Sequence, residues 1–326
     1  MSIKKLLCLC HIISHFKVQK LICRLCCLHN ICYNENTKRF TSGHQIMLYL
    51  LSGLTLIFFF NITDKPTHWV IDKFLFVVYA VPCVYYILHR SFLLEILNKM
   101  NIVHCEIREA MGELLCTSVR RAFFWAWLII LELLAVIHWQ TSLYESSQFF
   151  FMFSCLVCWY LQMLLHVNSF IWLQCIYVAM RRVFTAPIDN RHRMRLLKKL
   201  LKVQPKLNEI LQHIGKFFCI NIFVICALIL NSFFHTFVTT NTLIELEPSG
   251  IIYCIEPYQL RYMCNLLILT LTLLLVVRDF KVERDKFFES LWHPNKFSQK
   301  VLVYKSFQRY LPRRKQQLDI VDVMVN

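Results

Sequence analysis

An all-α fold, a polytopic transmembrane helical bundle with a cytosolic N-terminus and about six spans, is expected on three observations. The first is composition. Of 326 residues, 57% are hydrophobic and only 17% charged, against about 45–50% and about 25% in soluble domains. The second is Ser147–Met180, a run without Asp, Glu, Lys or Arg. About 20 apolar residues in a helix already cross the ~30 Å of hydrocarbon. The third is the basic stretch adjoining that run. Arg181–Lys206 carries nine Lys and Arg against the single Asp189. Short basic loops stay in the cytosol because carrying their charges across is costly. This helix therefore ends inside, and the rest of the chain can be oriented from that end.

The amphipathic start comes first in chain order. Met1–Tyr33 is apolar but broken by Lys17, Lys20 and Arg24, which suits a helix lying on the inner membrane face. A signal peptide is not expected: LLCLCHII is short and no small-residue cleavage site succeeds it. Span one covers about Ile46–Phe60 and starts inside, after Lys38 and Arg39. The sequon Asn61-Ile62-Thr63 then lies outside, close to the bilayer. Span two, about Phe74–Leu88, contains Pro82 and returns at Arg90. The segment from Leu94 to Arg121 mixes Glu and Lys or Arg in a helical pattern. Span three, about Ala122–Trp139, contains Glu132, and the outer loop after it carries only Glu145.

Span four is the charge-free run, longer than a bilayer needs, so it tilts or projects. Span five is about Phe217–Phe237. The loop beyond it holds Glu245, Glu247 and Glu256 with no Lys or Arg before Arg261, the acidic counterpart of the basic segment. Span six is about Met263–Val277. Phe287, Phe288 and Leu291 recur at helical spacing after it, so the helix is expected to continue into the cytosol. The chain thus divides into a cytosolic or interfacial segment (1–45), a transmembrane bundle (46–277) and a cytosolic helix with its linker (278–326).

The net charge of +16 sits in loops between apolar runs, not along a groove-reading motif. It is read as topological bias with contact to anionic membrane lipid, and no nucleic acid is expected. Of sixteen cysteines, Cys8, Cys10, Cys23, Cys26, Cys27 and Cys32 crowd the N-terminus. Cys23, Cys26 and Cys27 with His29 lack a second knuckle, so inert or acylated thiols are expected. His11 and His15 form a lone HxxxH. No phosphate loop, GxSxG or paired-carboxylate motif occurs. No metal, no cofactor and no enzymatic activity are expected.

Three stretches carry a family resemblance. They are KLNEILQHIGKFF before span five, LLILTLTLLLVVRDFKVERDKFFESL at span six, and SFQRYLPRRKQQLDIVDVMVN with its Phe307–Gln308 pair. In these stretches and in layout, from about Ile46 to Asn326, the chain resembles the insect gustatory receptors of the insect chemoreceptor superfamily. The resemblance implies a seven-span, ligand-gated cation channel in the plasma membrane. It would work as a homo- or hetero-tetramer that binds a small-molecule tastant in the outer half of the bundle. The family's Thr-Tyr…Gln-Phe motif, carried by a pore-lining seventh span, does not occur here. The expectation is a truncated or incomplete form, or a subunit that takes its pore helix from others. A non-conducting accessory subunit or a transporter-like protein is the alternative.

Glu132 is the sharpest candidate ligand contact, since a carboxylate at membrane depth is costly and faces a bundle interior or wet cavity. Its other reading is a structural partner for a polar group on another helix. Gln162 and His166, four apart on span four, share a face. With Asn168 and Gln174 they line a pocket or hydrogen-bond across helices. Asn231 and His235 repeat that spacing on span five, with the same two readings. Trp139, Tyr144, Trp159 and Tyr160 read as interfacial or core aromatics.

Overall fold

The computed structural model describes residues 31–34, 36–37, 39–42, 69–111, 128–130, 146–185, 189–246 and 257–292. Span one, much of the outer loops, the tail beyond 292 and most of span three, Glu132 included, lie outside the described residues; 241–246 and 257–259, expected as loop, are helix.

Among the described residues there are five helices and one hairpin. These are β1 (Ile31–Asn34), β2 (Arg39–Ser42), α1 (Trp69–Leu88), α2 (Arg90–Met111), α3 (Ser146–Thr185), α4 (Asn190–Leu246) and α5 (Pro257–Trp292). The all-α expectation holds for nearly all of the described chain. Among the described residues, three helices, α3, α4 and α5, are long and apolar enough to cross a membrane; α1 and α2, whose axes diverge by 70°, would add a fourth as one bent span.

The hairpin departs from the expected helix through Tyr33. Residues 31–33 are β-strand, antiparallel to β2 with Ile31 opposite Ser42. The cause is local. The Asn34 side chain accepts from the backbone N–H groups of Asn36 and Thr37, closing an Asx turn that a helix cannot contain. The hairpin is then held from a distance. Asn98 on α2 accepts from Phe40 N–H at 2.7 Å and donates to Phe40 C=O at 3.1 Å, so its amide acts as one more strand residue.

α3 is the axis of the bundle. It packs against α1, α4 and α5, and its apolar window is 89% buried. The corresponding windows of α4 and α5 are 39% and 33% buried, so those helices keep an apolar outer face. Phe223, Leu230, Phe233 and Phe234 on α4, and Leu267 and Leu271 on α5, point outward. An apolar exterior of that kind suits hydrocarbon or a partner helix.

The basic segment after α3 is not a loop. α4 starts at Asn190 and runs for 57 residues, about 85 Å at ~1.5 Å per residue. Leu196, Leu197, Leu200, Val203, Leu207 and Ile210 are buried. Arg191, Arg195, Lys198, Lys199 and Lys202 lie exposed between them. This is an amphipathic helix whose apolar stripe docks before the membrane-spanning part begins. α5 likewise continues past Arg278 to Trp292, as its helical Phe spacing leads one to expect.

The two extensions, α2 and the end of α3 make a charged layer under the apolar bundle. Lys99 bridges Glu95 and Glu209. Lys206 pairs with Glu106. Arg181 at the foot of α3 meets Glu283 on α5 at 3.1 Å, and Lys286 holds the other carboxylate oxygen of Glu283 at 3.0 Å. Aromatic packing flanks the Arg181–Glu283 pair on both sides. Tyr177 meets Phe280, Phe287 and Phe288, and Phe184 meets Phe287.

Candidate functional site

A helix buried on all sides must satisfy its polar side chains internally, because no water reaches them. α3 carries buried Gln162, His166, Asn168, Ser169 and Gln174. Ser169 bonds back to its own helix at Leu165 C=O. Gln162 and His166 reach neighbouring helices in different directions.

Gln162 turns toward α1. Its Nε2 donates to Pro82 C=O at 3.2 Å and lies 3.7 Å from Cys158 Sγ. The missing N–H of Pro82 deprives the carbonyl four residues earlier, not its own, so this bond is an added tie between α3 and α1 rather than a repair of α1. His166 turns toward α4, where its ring stacks on Phe218 with centroids 4.5 Å apart and planes within 9°. Although four apart, the two side chains serve opposite interfaces. α3 is central, and a 3.6-residue turn leaves i and i+4 about 40° apart, enough to separate neighbours on either hand.

Asn221 on α4 stands one turn beyond Phe218, with no exposed surface. Neither atom of its amide has a hydrogen-bond partner among the described residues. Gln162 Oε1 and His166 Nδ1 are buried and unbonded in the same way. Antiparallel running of α3 and α4 sets Asn221 near the level of Gln162, one turn from the His166–Phe218 stack. Asn231, the span-five amide expected from the sequence, is partly exposed and is not among the residues lining the cavity between α4 and α5. Asn221 was not among the expected residues. The available signal was the isolation of an amide inside the apolar run that opens span five, a costly placement at membrane depth.

His166 also lines a cavity of about 220 Å³ between α4 and α5, backed by α3. Its apolar length is formed by Ile222, Ile225 and Ile229 on α4 with Leu273, Leu274 and Val277 on α5. Its polar end is formed by Asn208, Gln212 and Arg284. Gly215, with no side chain, widens the groove midway. A buried relay supports the polar end: Gln204 Nε2 donates to Tyr177 Oη at 2.9 Å and to Asn208 Oδ1 at 3.3 Å. Arg284 is held over the Phe280 ring at 5.8 Å and bonds Asp285 at 3.3 Å.

Of the four residues proposed from sequence, then, His166 lines a cavity, Gln162 joins two helices, Asn231 sits partly exposed on α4 and Glu132 lies outside the described residues. Among the described residues, no three His, Cys, Asp or Glu side chains gather as a metal ion requires. No protein-family model matches the chain, and no curated protein matches it.

Proposed function

We propose that this chain is a chemosensory receptor subunit of the insect gustatory type, acting in a ligand-gated cation channel of the plasma membrane. Its six spans would leave both ends in the cytosol, and a small-molecule tastant would bind toward the acidic, outer end of the bundle. Binding there would shift a bundle equilibrium toward an open pore in a homo- or hetero-tetramer.

One observation carries the reading. Two of the three stretches that bear the family resemblance fold as unbroken extensions of membrane-length helices: KLNEILQHIGKFF lies within α4, and RDFKVERDKFFESL within α5. Charged segments continuous with two long apolar helices are what the resemblance leads one to expect, and this supports the reading. The basic segment and the charged layer lie together at one end of α3, α4 and α5, as sorting of Lys and Arg to the cytosol requires.

The second reading, a non-conducting accessory subunit or a transporter-like protein, is kept by the lack of a Thr-Tyr…Gln-Phe pore motif within these 326 residues. Whole-cell recording separates the two. Cells expressing the chain with partner receptor subunits are expected to pass tastant-evoked cation current, and Glu132→Gln, His166→Ala or Asn231→Ala to shift the half-maximal concentration without loss of surface protein. Absence of evoked current in every subunit combination tested would leave only the second reading. Antibody access to an N-terminal epitope in unpermeabilised cells would overturn the orientation.

A further inference from the structure

The groove between α4 and α5 has the shape and polarity of a site for one lipid chain. At about 220 Å³ it is smaller than the ~300–1,000 Å³ of pockets for drug-sized ligands. It is nevertheless long. The α5 residues that line it run from Thr270 to Arg284, about 21 Å at ~1.5 Å per residue. One leaflet is half of the ~30 Å hydrocarbon core, so the groove extends from membrane depth to the polar boundary. A slender apolar occupant with a polar head fits these dimensions; a compact ligand leaves most of the length unfilled.

The surroundings favour an anionic membrane lipid. The rim residues Ile222 and Leu274 are exposed and continue into the outward apolar faces of α4 and α5, which gives an acyl chain a lateral way in from the bilayer. At the other end Arg284 supplies a cation, with Asn208 and Gln212 as amide donors. Below them α4 presents exposed Arg195, Lys198, Lys199 and Lys202, and a basic surface at the leaflet boundary attracts acidic headgroups. His166 lines the groove wall at depth.

We infer that the α4–α5 groove binds one anionic phospholipid of the leaflet at the charged end, its acyl chain between Ile225 and Leu273 and its headgroup at Arg284, Asn208 and Gln212. The inference needs only that α4 and α5 cross a bilayer; it stands whether or not the chain senses a tastant.

The test uses the full chain in detergent, delipidated and then offered phosphatidylserine or phosphatidylcholine of equal chain length, with bound lipid counted by native mass spectrometry. One phosphatidylserine per chain is expected to be retained in preference to phosphatidylcholine. Arg284→Gln keeps most of the side-chain length but removes the charge, and should cut that preference about fivefold, the worth of one cation near a charged surface. Gly215→Leu fills the groove with a better helix former and should reduce retention of both lipids. A photoactivatable phosphatidylserine is expected to label wild-type peptides spanning 222–229 or 270–277, a readout that does not depend on any variant folding. Equal retention of the two lipids by wild type, or labelling confined to other segments, overturns the inference. So does a chain-to-chain cross-link through Cys226 that excludes lipid, since the groove would then seat a second copy.

Discussion

Asn221 and Gln162 are both buried amides, yet they are satisfied to different degrees: Gln162 Oε1 is unbonded but its Nε2 is not. Gln162 satisfies a carbonyl at Pro82, whereas Asn221 brings an amide into the core without a bond among the described residues. A buried polar group left unmade costs about 1–3 kcal/mol, and a made bond contributes about 1 kcal/mol. Asn221→Leu should therefore raise the thermal midpoint of the purified protein, by the equivalent of about 1–2 kcal/mol, and by more than Gln162→Leu, where the lost bond to Pro82 offsets relief of the unbonded Oε1. Thermal unfolding in one detergent checks that order, and a fall for Asn221→Leu would show that the amide has a partner. These residues also mark how far the sequence could be read. Gln162 and His166 were legible as a polar face on an apolar helix. Their separation to α1 and to α4 was not, because it depends on which neighbours flank α3.

Local elements show the same boundary between pattern and contact. A helix was legible over Leu94–Arg121 from its charge spacing, and α2 occupies its first part. The hairpin at 31–42 was not, since four-residue strands carry little periodicity and this one is held by Asn98, 58 residues away from Phe40. Asn98→Ala should release it, leaving Phe40 N–H without its acceptor. Faster amide exchange across 31–42, with α2 protected as before, is the expected result.

The Lys99–Glu209 pair joins α2 to the charged foot of α4, outside the apolar part of either helix. Hydrogen bonding to Lys99 holds the Glu209 carboxyl below its usual 4.5, against a smaller opposing effect of burial. Its contribution is therefore complete above pH 4.5 and lost as pH falls through the depressed value. Bonds to Glu209 and then Glu95 hold Lys99 above its usual 10.5, so that contribution is complete below pH 10.5 and fades only as pH rises through the raised value. Both side chains are substantially exposed, which limits the pair to about 0–1 kcal/mol. Glu209→Gln should lower the midpoint slightly at pH 7 and about 50 mM salt, with the difference shrinking at about 500 mM salt and fading as pH falls through the depressed value of the carboxyl.

Taken together, the helices are joined twice at the charged end, by ions and by rings. Arg181–Glu283 and the Tyr177–Phe280–Phe287 cluster both tie α3 to α5. Phe280 is almost fully buried, so Phe280→Ala should cost about 3–5 kcal/mol, more than loss of the ion pair. It should also open the floor of the groove, since Phe280 lines it. A thermal midpoint lowered by less than Arg181→Gln lowers it would reverse that ranking.

Composition, the charge-free run and the placement of Lys and Arg determined by themselves that this is an α-helical chain with membrane-length helices. They also marked where span four ends and that span six runs on past Arg278. These are properties of one segment at a time: hydrocarbon length, helical period and the cost of moving charge depend on nothing distant. Only the tertiary structure decided that the basic segment is the first half of α4, that α3 is enclosed while α4 and α5 keep apolar faces, and that His166, Asn208 and Arg284 meet along one groove. Those facts rest on which surfaces pack together, and an amphipathic stripe specifies that it must be covered without naming the helix that covers it.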